Sequence, residues 1–324
     1  MSQNFDSIFI PTNGIRLHAL TAGEGPLVVM VHGWPELSHS WRHQIGPLAE
    51  AGYKVVAIDV RGYGLSDRPE PVEAYAMKPL MADLIGVFDH FEADTAVLIG
   101  HDWGAPIVWN TALAFPDRVS AVAGLSVPYF KRAGIPPLAL WNALYTDKDR
   151  FFYQVYFQDE GVPEAAFGAD PAAGLEKIYY ALSGDAVRAG DRWPTLDAGA
   201  ALLDHLPRPE VFPAWPSAED RAYYLERFEA SGFRGAFNCY RNIDRDYHEL
   251  PDYGVGTIKQ PSAFIGGALD GVRAFVPGRD AYAGAGLLLD DLRVNRVIDG
   301  AGHWVQQEAP DEVTAALLAF LGGL

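Results

Sequence analysis

Three side chains in this sequence combine the types that nucleophilic catalysis needs: Asp102, Asp270 and His303. Asp102 lies in Gly100-His101-Asp102-Trp103-Gly104, between the apolar run Thr95–Ile99 and the run Pro106–Phe115. The first run reads as a buried strand and the second as a helix. Small residues around the carboxylate leave room for a sharp strand-to-helix turn. Such an elbow presents its central side chain at the carboxyl edge of a sheet, near the positive end of the following helix. A carboxylate held there stays ionised and available to attack. An aspartate before a helix also serves as an N-cap, and that is the plainer reading of the same residue.

A carboxylate nucleophile forms an ester, which must then be hydrolysed. Hydrolysis needs a base to activate water, a group to orient that base, and donors for the oxyanion. The expected base is His303, in Gly300-Ala301-Gly302-His303-Trp304 after the last apolar run. The expected orienting acid is Asp270, in Gly266-Gly267-Ala268-Leu269-Asp270, although a turn or cap aspartate would look alike. A carboxylate one strand earlier would also serve, but Ser126 occupies that place, and Asp299 is too near His303 in sequence. The oxyanion donors would be the backbone N–H groups of Trp103 and of Trp34 in His32-Gly33-Trp34-Pro35, with His32 a structural hydrogen-bonder.

The elements that must position these groups follow from the pattern. Ser7–Pro11 and Ile15–Thr21 form a hairpin at Asn13-Gly14. Pro26–Val31, Lys54–Val60, Thr95–Ile99 and Val119–Val127 are continuous apolar runs, as expected of parallel strands buried on both faces. Helices are expected over Ser38–Ala51, capped by Ser38 or Ser40 and stopped by Gly52, and over Met77–Phe91. After Pro128 the alternation stops. Helical pieces near Trp141–Phe157, Leu175–Leu182 and Ala218–Ser231 follow without a buried strand. Pro261–Gly267 and Arg293–Ile298 resume the strands, and Pro310–Leu321 closes the chain as an amphipathic helix. The fold class is therefore α/β, a mostly parallel sheet flanked by helices. Residues 1–128 and 247–324 form its core, and 129–246 a mostly helical insertion.

Composition narrows the partners. With 42 acidic against 25 basic residues the net charge is −17, which disfavours nucleic acid and anionic membrane faces. A neutral substrate fits more easily. One cysteine, Cys239, allows no internal disulfide and suits a reducing cytoplasm; its expected place is buried packing. Met1–Ile10 lacks the basic and apolar regions of a secretion signal, and no apolar run is long enough to span a bilayer. There is no clustered His/Cys set for a metal, no P-loop and no dinucleotide fingerprint, so no cofactor is expected. Nothing in the chain distinguishes a monomer from a homodimer.

The order Asp102, Asp270, His303, with His32-Gly33-Trp34-Pro35 and the loop Asp59-Val60-Arg61-Gly62-Tyr63-Gly64-Leu65-Ser66, resembles the epoxide hydrolases of the α/β-hydrolase fold. The resemblance runs over nearly the whole chain. It implies an inserted helical cap over the core, and a triad that converts an epoxide and water to a vicinal diol through a hydroxyalkyl ester on Asp102. It also implies two cap tyrosines as proton donors to the opening ring. Phe151-Phe152-Tyr153-Gln154-Val155-Tyr156-Phe157-Gln158 matches the first segment, with Tyr153 as donor and Tyr156 as the alternative one helical turn on. Asn238-Cys239-Tyr240-Arg241-Asn242 matches the second, with Tyr240 as donor. Tyrosine suits this task, because its ordinary pKa near 10 keeps the proton in place at neutral pH. Trp34, Trp103, Phe151 and Trp304 are the expected lining of an apolar substrate pocket. Haloalkane dehalogenases share the Gly-His-Asp-Trp-Gly elbow and would use the Trp103 indole to hold halide. Fluoroacetate dehalogenases carry Arg after the nucleophile, and esterases carry Ser at the elbow, so both are disfavoured. A non-catalytic small-molecule binder on the same fold is the remaining alternative.

Overall fold

The computed structural model describes residues 5–191, 193, 196–250, 252 and 254–324; Met1–Asn4 of the amino-terminal stretch lie outside them. The hairpin forms as its turn residues require. β1 (Asp6–Thr12) pairs antiparallel with β2 (Ile15–Ala22), and Asn13 and Gly14 both take positive φ. β2 then pairs antiparallel with β4 (Lys54–Ile58). Every later pairing is parallel: β3 (Leu27–Val31), β5 (Ala96–His101), β6 (Val119–Leu125), β7 (Ile258–Gly267) and β8 (Leu289–Ile298) complete an eight-stranded sheet in the order β1-β2-β4-β3-β5-β6-β7-β8.

Side chains alternate across this sheet, so each central strand feeds two cores. Val28 and Met30 of β3 join Ile99 of β5 and pack with Ile45 and Leu48 of α1 (Arg42–Glu50) and Leu317 and Phe320 of the closing helix. Val29 and Val31 of β3 join Leu98 on the opposite face, with Leu84 and Phe88 of α2 (Met77–His90) and Ile107 and Val108 of α3 (Gly104–Ala114). Burial on both faces is why these strands read as unbroken apolar runs.

Between β6 and β7 the described residues form nine helices and no strand. These are α4 (Pro137–Leu144), α5 (Tyr153–Tyr156), α6 (Val162–Ala169), α7 (Pro171–Ala181), α8 (Gly184–Ala189), α9 (Leu202–His205), α10 (Ala218–Ser231), α11 (Arg234–Arg241) and α12 (Ile243–Glu249). After β8 come α13 (Val305–Glu308) and α14 (Pro310–Leu321). No described helix is long and apolar enough to cross a membrane.

Two local expectations differ from the structure. The stretch expected as one helix, Trp141–Phe157, is broken: a 3₁₀ turn at Thr146–Lys148 ends at Asp149 with φ +54, and α5 begins only at Tyr153. The weak helix formers Thr146 and Asp147 are the local cause. Neither Ser38 nor Ser40 caps α1, which follows a 3₁₀ turn over Ser38–Trp41. The Ser38 N–H donates instead to Asp59 Oδ1 at 2.8 Å, and Ser40 Oγ bonds the Tyr224 hydroxyl at 2.8 Å.

Candidate active site

Asp102 stands at the end of β5 with φ +48, a conformation that L residues adopt only when their surroundings hold it. The turn is tight enough to exclude side chains at its flanks. A Cβ on Gly100 would lie 2.2 Å from the Gly104 carbonyl oxygen, and one on Gly104 would lie 2.0 Å from that of Val31. Asp102 does not cap α3, whose N-cap is Trp103 without a side-chain bond. Its Oδ1 instead accepts the Trp34 N–H at 2.7 Å. That donor sits in the loop after β3, which His32 pins by accepting the Val60 N–H on Nε2 at 3.0 Å and donating Nδ1–H to the Gly33 carbonyl. The Trp103 N–H makes no hydrogen bond to the carboxylate in this arrangement.

His303 follows β8 and reaches both acids. Its Nε2 lies 3.3 Å from Asp102 Oδ2, and its Nδ1 lies 3.1 Å from each oxygen of Asp270. Asp270 follows β7 and is itself held: Val272 N–H donates to Oδ1 at 2.9 Å and the Tyr282 hydroxyl to Oδ2 at 2.6 Å. Burial works against a charged imidazole, but the Asp270 charge, then hydrogen bonds to Asp102 and Asp270, outweigh it and hold His303 well above its ordinary pKa. Burial likewise opposes the Asp270 carboxylate, and the His303 charge and hydrogen bond overcome it and keep it low.

A cavity of about 600 Å³ opens beside this group. Asp102, Asp270, His303, Trp34, Phe151, Tyr153 and Tyr240 all line it. Tyr153 comes from the start of α5 and Tyr240 from α11, with ring centroids 5.7 Å apart. Burial and then the Asp102 charge raise the pKa of both phenols far above 10, so both stay protonated donors. Tyr156 packs on Phe151 and Phe157 and is not part of the lining.

Two expected lining residues lie elsewhere. Trp304 is fully buried, its ring 4.7 Å from that of Tyr179 and its Nε1–H donated to the Tyr179 carbonyl at 2.8 Å. The indole N–H has a main-chain partner, so packing rather than substrate explains this tryptophan. Trp103 does not line the cavity either; it packs edge-on against Tyr240 at 5.1 Å, beneath the tyrosine that does.

The sequence reading missed the layer that supports the His303 loop. The His303 carbonyl accepts from His101 Nε2 at 2.8 Å and Ser126 Oγ at 2.7 Å, and its N–H donates to the Leu182 carbonyl at 3.0 Å. His101 Nδ1 bonds Glu36 Oε2 at 2.6 Å, and Glu36 Oε1 accepts from Gln306 and Gln307 at 3.0 and 2.8 Å. Burial disfavours the Glu36 charge, yet the His101 charge and hydrogen bond bring its carboxyl down to about 2. A charged residue within the Gly33–Ser40 loop was the available signal for Glu36; Tyr282 had none. Among the described residues, no group of three or more His, Cys, Asp and Glu could hold a metal ion.

This architecture has known relatives. A family model described as alpha/beta hydrolase fold matches residues 26–310, and the chain belongs to that family. Over 318 residues it is 45% identical to epoxide hydrolase A of Mycobacterium tuberculosis (strain ATCC 25618 / H37Rv), covering 97% of each chain. It is 37% identical to an epoxide hydrolase of Caballeronia sordidicola, over 96% of this chain and 92% of the relative. The crystal structure of epoxide hydrolase A from Mycobacterium thermoresistibile matches with a TM-score of 0.91 at 44% identity, over 99% of both chains. Within the α/β hydrolases, the chain belongs to the epoxide hydrolases.

Proposed function

We propose that this chain hydrolyses an epoxide to a vicinal diol through a covalent ester on Asp102. One observation carries the reading: a carboxylate, an acid-held imidazole and two protonated phenols line the same cavity. Trp34 occupies Asp102 Oδ1, which leaves Oδ2 to attack a ring carbon from behind. The ring C–O bond breaks, and a phenol of the Tyr153–Tyr240 pair gives its proton to the alkoxide. Esterification removes the Asp102 charge. His303 thereby loses one of the two carboxylates that kept it protonated, and its proton restores the phenol. The neutral imidazole, oriented by Asp270, then takes a proton from water, whose oxygen attacks Asp102 Cγ. The N–H groups of Trp34 and Trp103 receive the oxyanion. The ester C–O bond breaks, His303 protonates the departing alkoxide, and it recovers a proton from the new carboxylic acid. The resting ion pair returns and a diol leaves.

The aromatic lining supports a small apolar epoxide as substrate. We assign residues 1–128 and 247–324 to the core and 129–246 to a cap that carries both tyrosines. Cytoplasmic placement is supported by a lone cysteine, Cys239, which can form no internal disulfide and suits a reducing compartment. The test is a panel of aryl and alkyl epoxides beside matched haloalkanes. Diol formation from epoxides without halide release is expected; halide release with no diol from any epoxide would contradict the assignment.

A further inference from the structure

Gln154 follows Tyr153 on α5, and its side-chain Nε2–H donates to the Tyr153 hydroxyl oxygen at 3.0 Å. A phenol oxygen carries one O–H and two lone pairs. A donor on the oxygen occupies a lone pair and leaves the O–H proton free for another acceptor. Gln154 does not line the cavity, whereas Tyr153 does, so Gln154 reaches substrate only through the tyrosine. Its backbone is fixed as well. Gln158 Nε2 donates to the Gln154 carbonyl at 2.7 Å and to the Tyr240 carbonyl at 2.9 Å, which ties α5 to α11 beside the second tyrosine.

The chemistry of ring opening gives this contact a directed effect. As the Tyr153 proton passes to the ring oxygen, negative charge grows on the phenol oxygen inside a buried site. A hydrogen bond to a charged oxygen is worth more than one to a neutral oxygen. The Gln154 N–H therefore strengthens as the proton leaves, which favours the transition state over the ground state.

We propose that Gln154 is a positioning residue for ring opening: its amide N–H turns the Tyr153 proton toward the substrate oxygen and stabilises the tyrosinate that forms. The inference rests on Tyr153 acting as a proton donor, as read above. In Gln154→Leu the N–H is lost. In Gln154→Glu the near-isosteric carboxylate can only accept, so it draws the Tyr153 proton away from the cavity.

The test is single-turnover kinetics with excess enzyme and styrene oxide, quenched in acid and read by intact-protein mass. This separates ester formation from ester decay. Gln154→Leu should form the ester about tenfold more slowly, with decay within about twofold of the parent, and Gln154→Glu should be slower still. In the Tyr153→Phe background, Gln154→Leu should add less than about twofold, because the atom it serves is gone. Equal slowing by Gln154→Leu in both backgrounds, equal slowing of both steps, or a Gln154→Glu variant as fast as the parent would overturn the role. Thermal unfolding of each variant separates these results from misfolding. If Tyr153→Phe alone forms the ester at the parent rate, the donor reading itself fails and this inference with it.

Discussion

Gly33 gives the sharpest test of how the nucleophile is held. It lies between His32, which anchors its loop, and Trp34, whose N–H holds Asp102. Its φ is not left-handed, so alanine at this position adds a Cβ without backbone strain. That Cβ would stand 2.2 Å from Asp102 Cβ, 2.4 Å from Oδ1 and 2.7 Å from Cγ. Ordinary contact begins at 3.4 Å, so the carboxylate or the loop must retreat by roughly 1 Å or more. Backside attack tolerates little misplacement, and a shift of about 1 Å can cost on the order of 100-fold. The cost in stability should be that of modest overpacking, about 1–3 kcal/mol. Gly33→Ala should therefore slow ester formation about 100-fold while remaining folded, measured by single-turnover kinetics and thermal unfolding. Gly168→Ala on α6 is the control, because nothing lies within 4 Å of its added Cβ. A Gly33→Ala enzyme within about threefold of the parent would refute the claim that close contact with this loop aligns Asp102.

Other expectations follow from the supporting residues. Glu36 titrates near 2 when folded against an ordinary 4.5, so its contribution of about 3 kcal/mol is present above pH 4.5 and is lost as pH falls toward 2. Urea unfolding of Glu36→Gln should show a deficit at pH 7 that shrinks below pH 4; a deficit independent of pH would mean that the charge is not its cause. Trp304→Phe should lower stability by about 1–3 kcal/mol through the lost Tyr179 hydrogen bond and packing, with the ranking of epoxides by kcat/KM unchanged. A reordered ranking would return Trp304 to the substrate pocket.

Much of this was legible in the chain because short-range rules apply there. The Asn13-Gly14 hairpin, the apolar runs of β3 and β5, and the span of α14 were all expected, the last with the same limits, Pro310–Leu321. The elbow was legible because steric exclusion at Gly100 and Gly104 leaves a local imprint. The insertion was legible in part: α10 was expected with the same limits, Ala218–Ser231, whereas α11 was not expected as a helix. Arg234, Asn238 and Arg241 do share one face of α11, but its eight residues, Arg234–Arg241, are too few for that period to mark a helix in the sequence. Trp103 and Trp304 were placed in the pocket by residue type alone, whereas their surroundings depend on Tyr240 and Tyr179, distant in sequence. The Glu36–His101 layer was hidden for the same reason: its partners Gln306 and Gln307 lie some 270 residues away.

The central claim is a covalent ester on Asp102 that His303 resolves. The most direct measurement is the intact mass of the His303→Gln variant after exposure to an epoxide, with the modified peptide mapped. The account predicts an accumulated adduct equal to the whole substrate mass, carried on Asp102. An unmodified protein that still turns the epoxide into diol would contradict it.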